Sequence, residues 1–344
     1  MNFCKFAAFL TVLLAGSTAA CFAASPESSA RLVEFENPLA TSQPLQGLLR
    51  EARAAGRSPA VVLLHGCNGD WQQLDERWGR LIASWGYVTL TVDSFGPRGL
   101  KTTCNSGSPV ALAFDAHRAL NFLVQQPVVD PDRVAALGFA QGGWLALTSV
   151  ERGAIQRTAQ NRFRAAIAFY PRCIGFKDNM TVPTLILIGE LDDWSPAVEC
   201  RNLVEGRDDF GISRRKGEGK AISLVVYPGA RHAFDASNPR TQVQYPGYHL
   251  EFNQAAADQS IDAVRKFLDA TIGGRHWGAM LFTPLPPRAL ARGGEGSGVG
   301  VARHSPNDWF QPIDPPPPTP PHRFAGGGEK KDATLRSVVT MDAA

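Results

Sequence analysis

Leu137-Gly138-Phe139-Ala140-Gln141-Gly142-Gly143 decides the reading of this chain. Arg133 to Phe139 has the apolar, β-favouring character of a buried strand, and a helical pattern starts at Gln141. Gly138 and Gly142 frame the single turn residue between them. A strand that enters a helix this abruptly crowds two backbones together, and glycine is the residue that leaves room for them. Such a turn lifts the side chain at position 140 above the end of the strand in strained geometry. That side chain is a methyl group.

Strand and helix alternate on both sides of this unit. Arg31 to Glu51 reads as two short edge strands, Pro59 to His65 as a buried parallel strand, and Tyr87 to Asp93 as the next. Phe163 to Tyr170, Thr184 to Gly189 and Ile222 to Tyr227 read as three more. Helical spacing covers Asp75 to Trp85, stopped by Gly86, and Val110 to Gln125, closed by Pro127. Ala197 to Glu205 and Ala255 to Ala270 complete the helices. This alternation predicts an α/β fold: a doubly wound, mostly parallel sheet with helices on both faces. In such sheets the active site lies at the carboxyl ends of the strands.

The chain has 344 residues, is 44% hydrophobic and carries a net charge of +3. A core of domain size is therefore available, and no strong field directs the molecule to nucleic acid. Met1 to Lys5, the apolar run Phe6 to Gly16 and the small residues through Ala24 read as a secretory signal peptide over residues 1–24. The alternative, lipidation at Cys21, lacks the usual leucine before it. The expected location is secreted or periplasmic. No later segment approaches the roughly 20 apolar residues of a membrane span. Residues 25–273 form the expected folded domain. From 274 to 344 the chain is rich in glycine and proline, which predicts a disordered tail, with a proline-rich docking segment as the alternative.

Outside the leader remain Cys67, Cys104, Cys173 and Cys200. In an exported protein four cysteines suggest two disulfides, and three pairings are possible. Cys67–Cys104 is favoured because both lie in adjacent rim loops, and Cys173–Cys200 because both follow neighbouring predicted strands. No cysteine pair has C-x-x-C spacing, so a metal site is not expected.

Three signals with chemistry fall in the order nucleophile, acid, histidine, the order of α/β-hydrolases. Gly138-x-Ala140-x-Gly142 has the frame of the G-x-S-x-G nucleophile elbow, with the reacting atom missing. Gly189-Glu-Leu-Asp192-Asp193-Trp194-Ser195-Pro196 follows a strand, and a carboxylate there can orient a histidine. Asp192 is the first choice and Asp193 the second, although two aspartates before a helix also serve as caps. His232 sits in Arg231-His232-Ala233-Phe234, just after the last predicted strand. A fourth element, His65-Gly66-Cys67, follows the strand that supplies one oxyanion donor in this fold. The donors are then the backbone N–H groups of Cys67 and Gln141. Trp71, Phe95, Trp144 and Trp194 could line an apolar pocket, and Arg98 or Arg231 could pair with a substrate carboxylate. Ser94, also after a strand, reads as a turn residue.

Taken together, His65-Gly66, Gly138-x-Ala140-x-Gly142, Gly189-x-x-Asp192 with Pro196, and His232-x-Phe234 resemble the dienelactone hydrolase family over roughly Arg31 to Ile272. The resemblance implies an eight-stranded α/β-hydrolase fold, hydrolysis of a small ester, lactone or related carboxylate, and no metal or organic cofactor. It also implies a cysteine or serine where this chain has Ala140, so hydrolysis is expected to be reduced or lost. Asp192 and His232 match the family pattern. Two rival expectations are a non-catalytic small-molecule-binding protein that uses the same pocket, and an interaction protein acting through the tail. Nothing in the sequence sets the oligomeric state.

Overall fold

The computed structural model describes residues 29–35, 44–52, 56–105, 110–177, 179–207, 219–237 and 247–273. The expected leader and the expected tail lie outside the described residues. One eight-stranded sheet organises the rest: β1 (Arg31–Phe35), β2 (Leu45–Arg50), β3 (Ser58–Leu64), β4 (Val88–Asp93), β5 (Val129–Phe139), β6 (Ala165–Phe169), β7 (Thr184–Gly189) and β8 (Ile222–Tyr227). Their spatial order is β1-β2-β4-β3-β5-β6-β7-β8. β1 and β2 pair antiparallel, β2 pairs antiparallel with β4, and every other pairing is parallel.

The chain leaves β3 toward one side of the sheet, makes β4, then returns to place β5 on the other side of β3. The crevice for a ligand in a doubly wound sheet lies at such a reversal, outside the carboxyl ends. Register brings those ends level: Leu64 pairs with Gly138, and Phe139 with Phe169. The central strands β3, β5 and β6 owe their position to continuous apolar runs. Val61, Val62, Leu63, Ala135, Ala136 and Ile167 are fully buried. Each Val, Leu or Ile so buried contributes roughly 1.5–3 kcal/mol.

β2 is not an edge strand as the sequence suggests; it lies between β1 and β4. Gly47 makes this possible, since a Cβ there would stand 2.6 Å from the Thr91 carbonyl oxygen of β4. The first helical segment also differs from expectation. It begins at Trp71 and runs as α1 (Trp71–Leu74), a π turn (Asp75–Gly79) and α2 (Arg80–Ser84). The wide turn surrounds buried Asp75, which accepts from Arg50 at 2.6 and 3.0 Å and from the Thr91 hydroxyl at 3.1 Å. The segment expected as one helix over 110–125 divides into a 3₁₀ turn (Val110–Phe114) and α3 (Asp115–Leu123). α4 (Gln141–Val150), α5 (Ala154–Thr158), α6 (Ala197–Glu205) and α7 (Gln254–Thr271) follow. No helix of the described residues is long and apolar enough to cross a membrane.

Candidate active site

β5 passes into α4 through one residue. Ala140 has φ 49° and ψ −111°, a conformation that L-residues rarely adopt. Its amide donates to the Phe169 carbonyl at 2.9 Å, and its own carbonyl accepts from the Trp144 amide at 3.0 Å. The flanking glycines are sterically required. A Cβ on Gly138 would lie 2.0 Å from the Gly142 carbonyl oxygen, and one on Gly142 would lie 2.1 Å from that of Leu64. The elbow is thus clamped by β3 on one side and β6 on the other, with the methyl group of Ala140 at the cavity wall.

His232 lies in the loop after β8, and Asp192 in the loop after β7. His232 Nδ1 and Asp192 Oδ2 are 2.8 Å apart, and both side chains are buried. Asp192 Oδ1 accepts the backbone amides of Trp194 at 3.0 Å and Ser195 at 2.7 Å. Two backbone donors therefore fix the carboxylate independently of the histidine it orients. An ionised carboxylate only accepts, so Nδ1 carries the hydrogen, and in the neutral ring Nε2 presents a lone pair. The rings of Tyr170 and Trp194 flank the imidazole, with centroids 4.7 and 5.1 Å away. Asp193 is exposed and accepts instead from the His249 amide at 3.1 Å.

Cys67 and Gln141 line a cavity of about 410 Å³ together with Ala140 and His232. Gln141 opens α4, so its amide is one of the helix N-terminal donors without an intrahelical partner. The Cys67 carbonyl accepts from the Thr103 amide at 2.8 Å and the Thr102 hydroxyl at 3.0 Å. The Thr103 hydroxyl in turn donates to the Gln141 side-chain oxygen at 2.8 Å. One short segment thereby ties both proposed oxyanion donors together. A larger cavity, about 510 Å³, adjoins it and shares Cys67, Ala140, Trp194 and His232.

The disulfides are Cys67–Cys104 and Cys173–Cys200. The first borders the smaller cavity and is partly exposed; Cys173 and Cys200 are buried. Thiol attack needs access to sulfur. A mild reductant is therefore expected to open Cys67–Cys104 well before Cys173–Cys200. Alkylation under native conditions followed by peptide mass mapping measures the order, and simultaneous opening of both bonds would contradict it.

His65, after β3, bonds through Nδ1 to the Gly66 carbonyl at 2.7 Å, while its Nε2 accepts the Ser94 amide at 3.2 Å. Only the neutral ring can make both bonds, and burial lowers its pKa. Burial also lowers that of His117, whose Nε2 lies 3.1 Å from the Ser149 carbonyl. Both groups are held neutral in the fold, so the unfolded chain binds more protons once pH falls below about 6.5. Their contribution to stability is present above that pH and is lost as pH falls. The melting temperature is expected to drop between pH 7.5 and pH 5, and the drop should shrink in His117→Gln. An unchanged slope in that variant would count against His117 as a source.

Not every residue expected from the sequence lines this pocket. Trp194 lines both cavities and Trp144 the smaller one. Trp71, Phe95, Arg98 and Arg231 line neither. Phe95 is buried with its ring 4.5 Å from that of His65 in an edge contact. Arg98 donates to Asp115 at 2.7 and 2.8 Å and to the Ser94 carbonyl at 2.6 Å, so its guanidinium is engaged inside the fold. Arg231 faces Glu251 at 3.4 Å. In their place stand residues that sequence reasoning missed. Tyr170 and Arg77 line the larger cavity, and Arg172 the smaller. Asp235 joins the first two: it accepts from the Tyr170 hydroxyl at 2.7 Å and Trp78 Nε1 at 2.8 Å, and faces Arg77 at 3.1 Å. Tyr170 was visible as the residue leaving β6 on the same rim. Arg77 had no local signal, because it reaches the cavity from the π turn.

Residues 45–272 match the model of the dienelactone hydrolase family. Over 205 residues the chain is 26% identical to a probable 2-oxo-3-(5-oxofuran-2-ylidene)propanoate lactonase from Bradyrhizobium sp, covering 52% of this chain and 74% of that protein. Among solved structures, a dienelactone hydrolase-like promiscuous phosphotriesterase from metagenomic libraries superposes with a TM-score of 0.56 at 21% identity, covering 71% of this chain and 99% of the other. Thermogutta terrifontis esterase 2, phosphoramylated by tabun, gives a TM-score of 0.52 at 20% identity, covering 72% and 96%. These structural likenesses speak to the fold, whereas the family match spans most of the described sheet and its rim. The chain belongs to the dienelactone hydrolase family.

Proposed function

We propose that this is an exported protein of the ester and lactone hydrolase type in which Ala140 occupies the nucleophile's position, so that acyl transfer is much reduced or lost. The observation that carries the reading is the buried His232–Asp192 bond beside an elbow whose central residue is alanine. In an intact site the group at 140 attacks the carbonyl carbon. His232 takes its proton, Asp192 stabilises the resulting imidazolium, and the amides of Cys67 and Gln141 receive the oxyanion. A methyl group forms no acyl-enzyme, which leaves attack by a water molecule that His232 activates. The cavities suit a small molecule, and a lactone agrees with the name of the curated relative. Export rests on the leader-like first 24 residues and on two disulfides, which persist in oxidising compartments.

A non-catalytic binding role is the second reading. Ala140 favours it, while a histidine held in register by a buried aspartate argues for chemistry. Hydrolysis of p-nitrophenyl acetate by the mature protein, beside Ala140→Ser and Ala140→Cys, tests the proposal. Activity gained only in the variants supports it. An active parent silenced by Cys67→Ser or Ser94→Ala overturns it.

A further inference from the structure

The same site without its nucleophile still contains a base and an electron sink. We propose that the protein with Ala140 in place catalyses proton transfer at the carbon α to the carbonyl of a small unsaturated lactone, moving the double bond into conjugation. The inference rests on the site reading above and goes beyond hydrolysis.

Four observations carry it. First, Nδ1 of His232 is committed to a carboxylate fixed by two amides, so the lone pair of the neutral ring is on Nε2. Second, the cavity that holds this base also holds Cys67 and Gln141. Their amides stabilise charge that develops on a carbonyl oxygen, and an enolate oxygen gathers such charge as a tetrahedral adduct does. Third, Ala140 closes the competing route. Its methyl group lines the same cavities as His232 and can be neither acylated nor protonated. Fourth, Phe139, Tyr170 and Trp194 wall the adjoining cavity with aromatic surface. An apolar wall strengthens the hydrogen bonds to an enolate and limits competing water.

The step balances within the substrate. The Cα–H bond breaks, and its proton passes to His232 Nε2. The electron pair forms a bond between Cα and the carbonyl carbon, while the carbonyl π pair moves onto oxygen. The dienolate collapses as its γ carbon takes a proton from Nε2, whose N–H exchanges with solvent between the two transfers. The carbonyl is restored, the double bond lies between Cα and Cβ, and the imidazole is neutral again. No oxidant, reductant or second substrate enters. Asp192 stabilises the imidazolium between the two transfers.

The probe is α-angelica lactone, a β,γ-unsaturated five-membered lactone. It is incubated in D₂O with the full chain and followed by proton NMR. A positioned base contributes on the order of 10²-fold or more over buffer, so deuterium should enter the α position, and the conjugated isomer appear, at least that much faster. His232→Gln should return the rate to that of buffer. Asp192→Asn, which keeps the shape of the side chain, should lower it and shift its pH profile. Ala140→Ser is assayed in parallel with p-nitrophenyl acetate. Exchange by the parent that needs His232 supports the proposal. Exchange at the buffer rate while Ala140→Ser hydrolyses the ester overturns it and leaves the hydrolase-site reading standing. Exchange that survives His232→Gln also overturns it. Failure of both reactions overturns both readings.

Discussion

Ala140→Ser is expected to raise the hydrolysis of short p-nitrophenyl esters by on the order of 10³-fold or more over the parent, which should lie near background. Removing a triad nucleophile elsewhere costs on the order of 10⁶ in kcat, and roughly 10³–10⁴ over water survives through the oxyanion donors and binding. The parent is expected at that residual level. Serine adds one oxygen to a Cβ already in place, and the elbow needs no rearrangement, because φ 49° at position 140 is present with alanine. The base is built as well: Asp192 holds Nδ1 of His232, and two amides hold Asp192. Serine supplies the nucleophile and nothing else in the pocket, which is why the expected gain is set below the full factor. Ala140→Cys should likewise exceed the parent. A Ser variant that folds, with His232→Ala added, should fall back to the parent rate.

Gly142→Ala is expected to remove a large part of the stability of the fold. The added Cβ would stand 2.1 Å from the Leu64 carbonyl oxygen and 2.6 Å from that of His65. Both are backbone atoms of the central strand β3 and its exit, so no side chain can turn aside. Relief requires α4 to lift from the sheet, which separates Leu145, Ala146 and Leu147 from the strands beneath them. Ordinary overpacking costs about 1–3 kcal/mol. A backbone-to-backbone clash at the middle of the sheet should exceed that, on the order of 4 kcal/mol or more, against a total stability of roughly 5–15 kcal/mol. Gly153→Ala is the matched control: its nearest atom would be 3.8 Å away, at the start of a surface helix, and its effect should stay within about 0.5 kcal/mol. Urea unfolding of the two variants separates the outcomes. A Gly142→Ala protein as stable as the parent would mean that the elbow does not pack as described.

How far the sequence led depended on whether its signals were local. β7 and β8 begin and end where their apolar runs do, and α6 starts after Pro196 as expected. The order of elbow, acid loop and histidine loop survives translation into space because parallel strands deliver all three loops to one rim. The departures have long-range causes. β2 enters the sheet interior because Gly47 admits β4, a partner about 45 residues away in the chain that hydropathy does not reveal. The start of β5 at Val129 runs through Pro131, which reads as a turn; Val129 pairs with Ser58 instead. Arg98 is withdrawn from the rim by Asp115, and Arg77 reaches it from a π turn that has no sequence signature. The short helix α5 is below the length at which periodicity speaks.

The most direct test of the central claim is covalent labelling at position 140. The Ala140→Ser protein and the parent are each treated with a fluorophosphonate, and the site of attachment is found by intact mass and peptide mapping. Only a nucleophile placed against an oxyanion hole and activated by a base reacts promptly with such a reagent. The expected result is one adduct on the variant, at position 140, lost when His232→Ala is added, and none on the parent. An unlabelled variant that is folded, or a parent labelled at Ser94 or another residue, would show that the reacting centre of this protein lies elsewhere.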